Sequence, residues 1–286
     1  MSRNSDRLGA HGKADSDAPQ QVTQAHETND FSFIIPSELV DLPTRGVYYS
    51  PTHPLHGSDA IELKQMTAKE EDMLTSRSLL KKGVALDRVI ASLIKNKAID
   101  PDSLFVGDRN AIIVAARISA YGNEYLTKVT CPACGTSQEY GFDLNHTHTY
   151  TGEDADAYVS ADNGDGTFET ILPKTGLTIT FRLLRGVDER RYVAGMEQDR
   201  KNKNQPERTI TRQLQNMIVA VNGNTTTEAV NYVVENIPSV DARHLRSAYK
   251  AASPNIDLTQ HFECSACDFE TDMEVPLSAD FFWPNT

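Results

Sequence analysis

The chain has 286 residues, 39% of them hydrophobic and 24% charged, with a net charge of −12. That length allows one large or two modest domains with a sizeable core. The acidic balance argues against a phosphate-binding surface, because nucleic-acid affinity comes largely from clustered Lys and Arg; no nucleic-acid partner is expected.

No apolar run reaches the length of about 18 residues that a membrane span needs, and none is expected. The N-terminus, MSRNSDRLGAHGKADSD, lacks the apolar core of a secretory signal. Synthesis in the cytoplasm follows as the default, where thiols stay reduced.

In chain order, residues 1–30 are polar and nearly free of large apolar side chains, which predicts a disordered tail with order beginning at Phe31. Residues 31–66 carry Pro43, Gly46, Pro51, Pro54 and Gly57 ahead of a strand-like AIELKQM. Proline at this density excludes a helix and predicts an extended arm, lying on a neighbour or on the chain's own body. Residues 67–123 read as helical. Thr67 with Glu70 forms a capping box for a helix through TAKEEDMLTSRSLLKKG, with Lys81 and Lys82 in its last turn and Gly83 as its stop. ALDRVIASLIKNK spaces Leu86, Val89, Ile90, Leu93 and Ile94 as a second helix. DPDSLFVGDRNAIIVAARISAYG predicts a third, with Asp108 at its N-cap.

Residues 124–149 turn strand-like on either side of CPACG, a hairpin with cysteines at its turn. Residues 150–257 begin as an acidic loop and continue as a hairpin folded around Lys174–Gly176. Helices are expected at 187–203, 207–222, 226–236 and 240–252. The basic cluster Arg200, Lys201, Lys203 reads as a solvated helix end. Residues 258–286 repeat the hairpin-with-cysteines pattern and end in Phe281, Phe282 and Trp283, rings that either complete the local core or anchor a partner.

All four cysteines fall in two C-x-x-C pairs, Cys131/Cys134 and Cys264/Cys267. Two thiols on a tight turn can converge on one ion, and two such knuckles give the tetrahedral thiolate set that structural Zn²⁺ prefers. Residues 135–263 lie between the pairs, far more than in a sequence-local site, so a helical and hairpin region is read as inserted between two halves of a zinc ribbon. A four-thiolate site has no open position for substrate, which makes it structural. A redox pair would place its first cysteine at a helix N-terminus, and these flanks read as strands.

Other chemistry finds no foothold. SADNGDGTFE fails as a calcium loop, because Ala161 and Leu172 fall where carboxylates are required. His146 and His148 read as a surface pair. No phosphate loop, dinucleotide fingerprint or hydrolase motif occurs, so an enzyme is not expected.

The stretches LPTRGVYYSPTHPLHG, MTAKEEDMLTSRSLLKKGVALDRVI and VGDRNAIIVAARISAYGNEY, with the closing VPLSADFFWPN, resemble the T4-type baseplate hub family of contractile-tailed phages. The resemblance covers most of residues 33–286. It implies a structural hub subunit or hub assembly protein, located in the virion tail baseplate after assembly in the host cytoplasm. Its partners would be other baseplate or hub proteins, with a homo-oligomer also open. The expectation is an α+β protein stapled by one zinc through Cys131, Cys134, Cys264 and Cys267. The rival readings are an assembly chaperone absent from the finished virion and a zinc-ribbon module for host nucleic acid or polymerase.

Overall fold

The computed structural model describes residues 36–81, 83–201, 208–276 and 279–282. The expected N-terminal tail and the expectations for Phe31, Lys82, Lys203 and Trp283 lie outside them. The described residues mix helices with small antiparallel sheets, an α+β architecture. No described helix is long and apolar enough to cross a membrane.

The Pro/Gly-rich segment folds onto the protein's own body. Strands β1 (Ser37–Asp41) and β2 (Ala60–Lys64) pair antiparallel, with Val40 opposite Ile61. The turns between them bury Leu42, Tyr49 and Leu55. Asp108 fastens this segment, accepting from the Thr44 amide (3.1 Å), the Thr44 hydroxyl (2.7 Å) and the Tyr49 hydroxyl (2.8 Å). Burial lifts its carboxyl above the usual range, and the three donors only partly offset that. Asp108 is therefore not the expected N-cap. Phe105 holds that position, ahead of the fourth helix, because the Asp108 side chain is spent on the arm.

The first predicted helix is two. Helix α1 (Ala68–Thr75) and α2 (Arg77–Lys81) are separated by Ser76 in extended conformation (ψ 108°). The Thr75 hydroxyl donates back to the Glu71 carbonyl (3.0 Å), and Ser76 bonds Ser78 (3.2 Å). Such side chains compete with the helical ladder, which is why the run breaks there. The capping box at Thr67 and Glu70 is present. Glu70 is also fully buried and takes hydrogen bonds from Lys64 (2.8 Å) and from Ser92 (2.5 Å) in helix α3 (Ala85–Leu93).

Helix α4 (Val106–Tyr121) ends at Gly122, and buried Arg117 closes that end by donating to the Gly122 carbonyl (2.7 Å) and the Glu124 carbonyl (3.1 Å). Its third bond reaches the Phe281 carbonyl (2.7 Å), tying the C-terminal turn Ala279–Phe282 to this helix. Phe281 and Phe282 are both buried, with Phe281 edge-on to Tyr125 (5.0 Å), so these two rings complete the local core.

Two hairpins follow the same plan at a distance in sequence: β3 (Glu124–Thr130) with β4 (Ser137–Asp143), and β11 (Thr259–Glu263) with β12 (Glu270–Glu274). Between them β5 (His148–Tyr150) pairs with β10 (Asn255–Asp257), and a four-stranded sheet runs β6 (Ala161–Asp162), β7 (Thr167–Ile171), β8 (Thr178–Arg182), β9 (Ile218–Val221). Helices α5 (Gly186–Lys201), α6 (Thr209–Met217), α7 (Thr227–Asn236) and α8 (Ser239–Ala252) accompany that sheet. Strand β9 corrects the expectation of one helix over 207–222. With Ile218, Val219 and Val221 β-branched, this run gains more as an added strand beside β8 than as a helix end. One continuous buried cluster joins Ile112, Phe181, Leu245 and Phe262.

Glu70 gives a measurable consequence. Burial alone would raise its carboxyl, but the Lys64, Ser92 and Thr67 donors outweigh it and hold the pKa at about 2. The stabilisation is present above the ordinary Glu range of about 4.3 and is lost as pH falls through the folded value. Glu70→Gln should cost about 2 kcal/mol at pH 7 in urea denaturation, and the gap to wild type should close as the medium is acidified towards pH 2.

Candidate metal centre

Each C-x-x-C pair sits on a knuckle built the same way. The Cys131 amide donates to the Thr136 carbonyl (2.9 Å) and the Gly135 amide to the Cys131 carbonyl (2.9 Å). In the second hairpin the Cys264 amide donates to the Phe269 carbonyl (3.0 Å) and the Asp268 amide to the Cys264 carbonyl (2.9 Å). The residue after the second cysteine takes a positive φ in both, Gly135 at 72° and Asp268 at 53°. Glycine meets that demand without strain; aspartate is among the few residues that tolerate it.

The two knuckles face each other. Cys131 Sγ lies 3.8 Å from Cys267 Sγ, and Cys134 Sγ 3.8 Å from Cys264 Sγ. All four sulfurs fall within 4.8 Å of one another. These separations exclude disulfides, whose sulfurs are about 2.05 Å apart. They match a tetrahedron with each sulfur about 2.3 Å from a central ion, whose edge is about 3.8 Å. Cys131 and Cys264 are buried, while Cys134 and Cys267 reach the surface.

The electrostatics of the four-thiol cluster are uneven. Cys134 is held down at about 6, first by the Thr136 hydroxyl and then by the Thr136 amide, with the Cys267 and Cys131 thiols adding to the effect. For Cys267 the Phe269 amide acts to lower the pKa, but the hydrogen bond with Cys134, burial and the other two thiols push it up to about 12. Ionising one thiol disfavours ionising those beside it. A cation would remove that mutual repulsion, so the donor set fits a thiophilic metal.

The hairpins are not joined by a backbone ladder, since β3–β4 and β11–β12 form separate two-stranded sheets. Two glutamine amides bridge them instead. Gln138 accepts from the Ser265 amide (3.0 Å) and donates to the Glu263 carbonyl (3.1 Å). Gln260 donates to the Asp143 carbonyl (2.8 Å) and accepts from the Asp143 amide (3.2 Å). Tyr140 adds a bond to the His261 carbonyl (3.1 Å) and a ring contact with Phe262 (5.0 Å). Sequence reading missed these bridges. A glutamine on a polar strand gives no sign of a partner over a hundred residues away.

His146 and His148 are both exposed, and neither belongs to the cysteine cluster. His146 lies only near Asp143, at 4.0 Å. The loop after Asp162 is a turn, its carboxylates bonded to local amides at Gly164 (2.8 Å) and Thr167 (2.9 Å).

Fold and site define an α+β protein whose early and late hairpins meet through four convergent thiols. A family model described as T4 bacteriophage base plate protein matches residues 48–283, and the chain belongs to this family. No curated protein and no solved structure matches it. Membership puts the chain among the proteins of the phage tail baseplate and implies contact with other baseplate proteins.

The shared knuckle geometry predicts unequal substitutions. Gly135→Ala should destabilise by about 1 kcal/mol, since alanine pays the left-handed penalty. Asp268→Gly should change stability by less than about 0.5 kcal/mol, strain relief and added chain entropy nearly cancelling. Chemical denaturation of the metal-loaded chain measures both.

Proposed function

We propose that this chain is a non-enzymatic structural component of the baseplate hub of a contractile tail, with one Zn²⁺ held by Cys131, Cys134, Cys264 and Cys267. The carrying observation is the 3.8 Å spacing of sulfurs contributed by two distant hairpins. Zinc bound there would be coordinatively closed, leaving no position for water or substrate, and so would serve the fold rather than a reaction. A cavity of about 80 Å³ beside Phe105, Tyr249 and Ser253 has room for water; ligand sites run to roughly 300–1,000 Å³. The net charge of −12 supports protein rather than nucleic-acid partners.

In this reading the metal keeps the C-terminal hairpin seated against β3–β4 and so keeps a rigid face for neighbouring baseplate proteins. Purified chain should carry one zinc per molecule by elemental analysis. Its four thiols should resist alkylation until a chelator is added. Thiols that react at once in metal-replete protein would contradict the structural site. Mass spectrometry of finished particles tests the hub assignment: the chain should be a stoichiometric part of the tail, and its absence would leave an assembly factor instead.

A further inference from the structure

Residues Thr44–Val47 form a tight turn in which Arg45 (φ 49°) and Gly46 (φ 68°) are both left-handed, closed by the Val47 amide on the Thr44 carbonyl (3.0 Å). Two successive positive φ values define a type I′ turn, whose first central position suits Asn, Asp or Gly. The other described non-glycine residues with positive φ are Asn222 and Asp268, which are of those types. Arg45 is not.

The surroundings hold this turn whatever occupies position 45. The Arg45 amide bonds the Leu42 carbonyl (2.9 Å), the Gly46 amide the Thr44 hydroxyl (3.2 Å), and the Gly57 amide the Gly46 carbonyl (3.0 Å). A Cβ at Gly46 would stand 2.3 Å from the Leu55 carbonyl oxygen. Thr44 itself is pinned by buried Asp108. The arginine side chain gives the fold nothing in return for its strained backbone. Among the described residues its guanidinium has no hydrogen bond or ion pair, and it is exposed. Two residues on, Val47 is 56% exposed, while Tyr49 turns inward.

Strain that is locked in by its neighbours and unrewarded inside the molecule points to a role outside it. We propose that Arg45 and Val47 form a docking tip for a neighbouring baseplate protein, taking a carboxylate flanked by an apolar side chain. A guanidinium presents a fork that matches a carboxylate, and an adjacent valine supplies the dry contact that strengthens such a pair. The chain's overall negative charge favours a single acidic side chain over a polyanion as the occupant. This proposal rests on family membership and is independent of the metal.

The test is Arg45→Asn, with Arg45→Glu beside it, in the full-length chain and in the phage genome. Asparagine should raise the Tm of the isolated protein by about 1–3 °C, because it suits the turn better. The yield of infectious particles should nevertheless fall about tenfold or more in both variants, with zinc content unchanged. Wild-type particle yield from Arg45→Asn would overturn the proposal. So would a lowered Tm, which would show that Arg45 serves the fold itself. Salt-sensitive DNA binding by wild type that Arg45→Asn abolishes would assign the tip to phosphate and overturn it as well.

Discussion

Two pairs of sulfur atoms, 130 and 136 residues apart along the chain, stand 3.8 Å from each other. Nothing covalent holds them there, and four thiols crowded together repel one another as they ionise. Among the described residues the hairpins that carry them share no backbone ladder; the side chains of Gln138, Gln260 and Tyr140 bridge them. A cross-link closing a loop of this length is worth about 4–5 kcal/mol in chain entropy. A metal bound at this point would therefore outweigh any single hydrogen bond between the hairpins, each worth about 1 kcal/mol.

Elsewhere the fold is fixed by buried polar groups that each join segments far apart in sequence. Asp108 holds the arm, and Glu70 joins β2, α1 and α3. Asp241 at the start of α8 accepts from the Lys174 (2.8 Å) and Thr175 (3.0 Å) amides and sets the turn between β7 and β8. Arg117 has no carboxylate among its described contacts; three backbone carbonyls and the faces of Tyr121 (5.3 Å) and Tyr125 (5.9 Å) satisfy it. Truncating any of them would strand a buried polar partner, which costs more than the bond itself contributes. Arg117 also links the cysteine cluster to the rest, since the carbonyl it holds at Phe281 lies just beyond the second knuckle's hairpin.

The sequence was legible where the signal is local. The capping box at Thr67, the apolar spacing of Val89, Ile90 and Leu93, and the paired C-x-x-C turns each act within a few residues. The clustering of the four cysteines was legible because cysteine is scarce and its spacing is chemical. What stayed hidden depends on tertiary partners. Asp108 carries the composition of an N-cap but is buried against Thr44 and Tyr49. Ser76 breaks the expected helix within the polar stretch Thr75–Ser78, between the apolar pairs Met73–Leu74 and Leu79–Leu80. Ile218–Val221 becomes a strand because β8 offers a free edge. The left-handed turn at Arg45 defies local preference, and its cause is the packing around Gly46.

The claim on which the metal account stands is that four thiolates from two distant hairpins surround one ion. X-ray absorption at the zinc edge of the purified chain tests it most directly. The account predicts a single shell of four sulfurs at about 2.3 Å. A shell containing nitrogen or oxygen, or a chain without zinc whose cysteines are joined as disulfides, would contradict it.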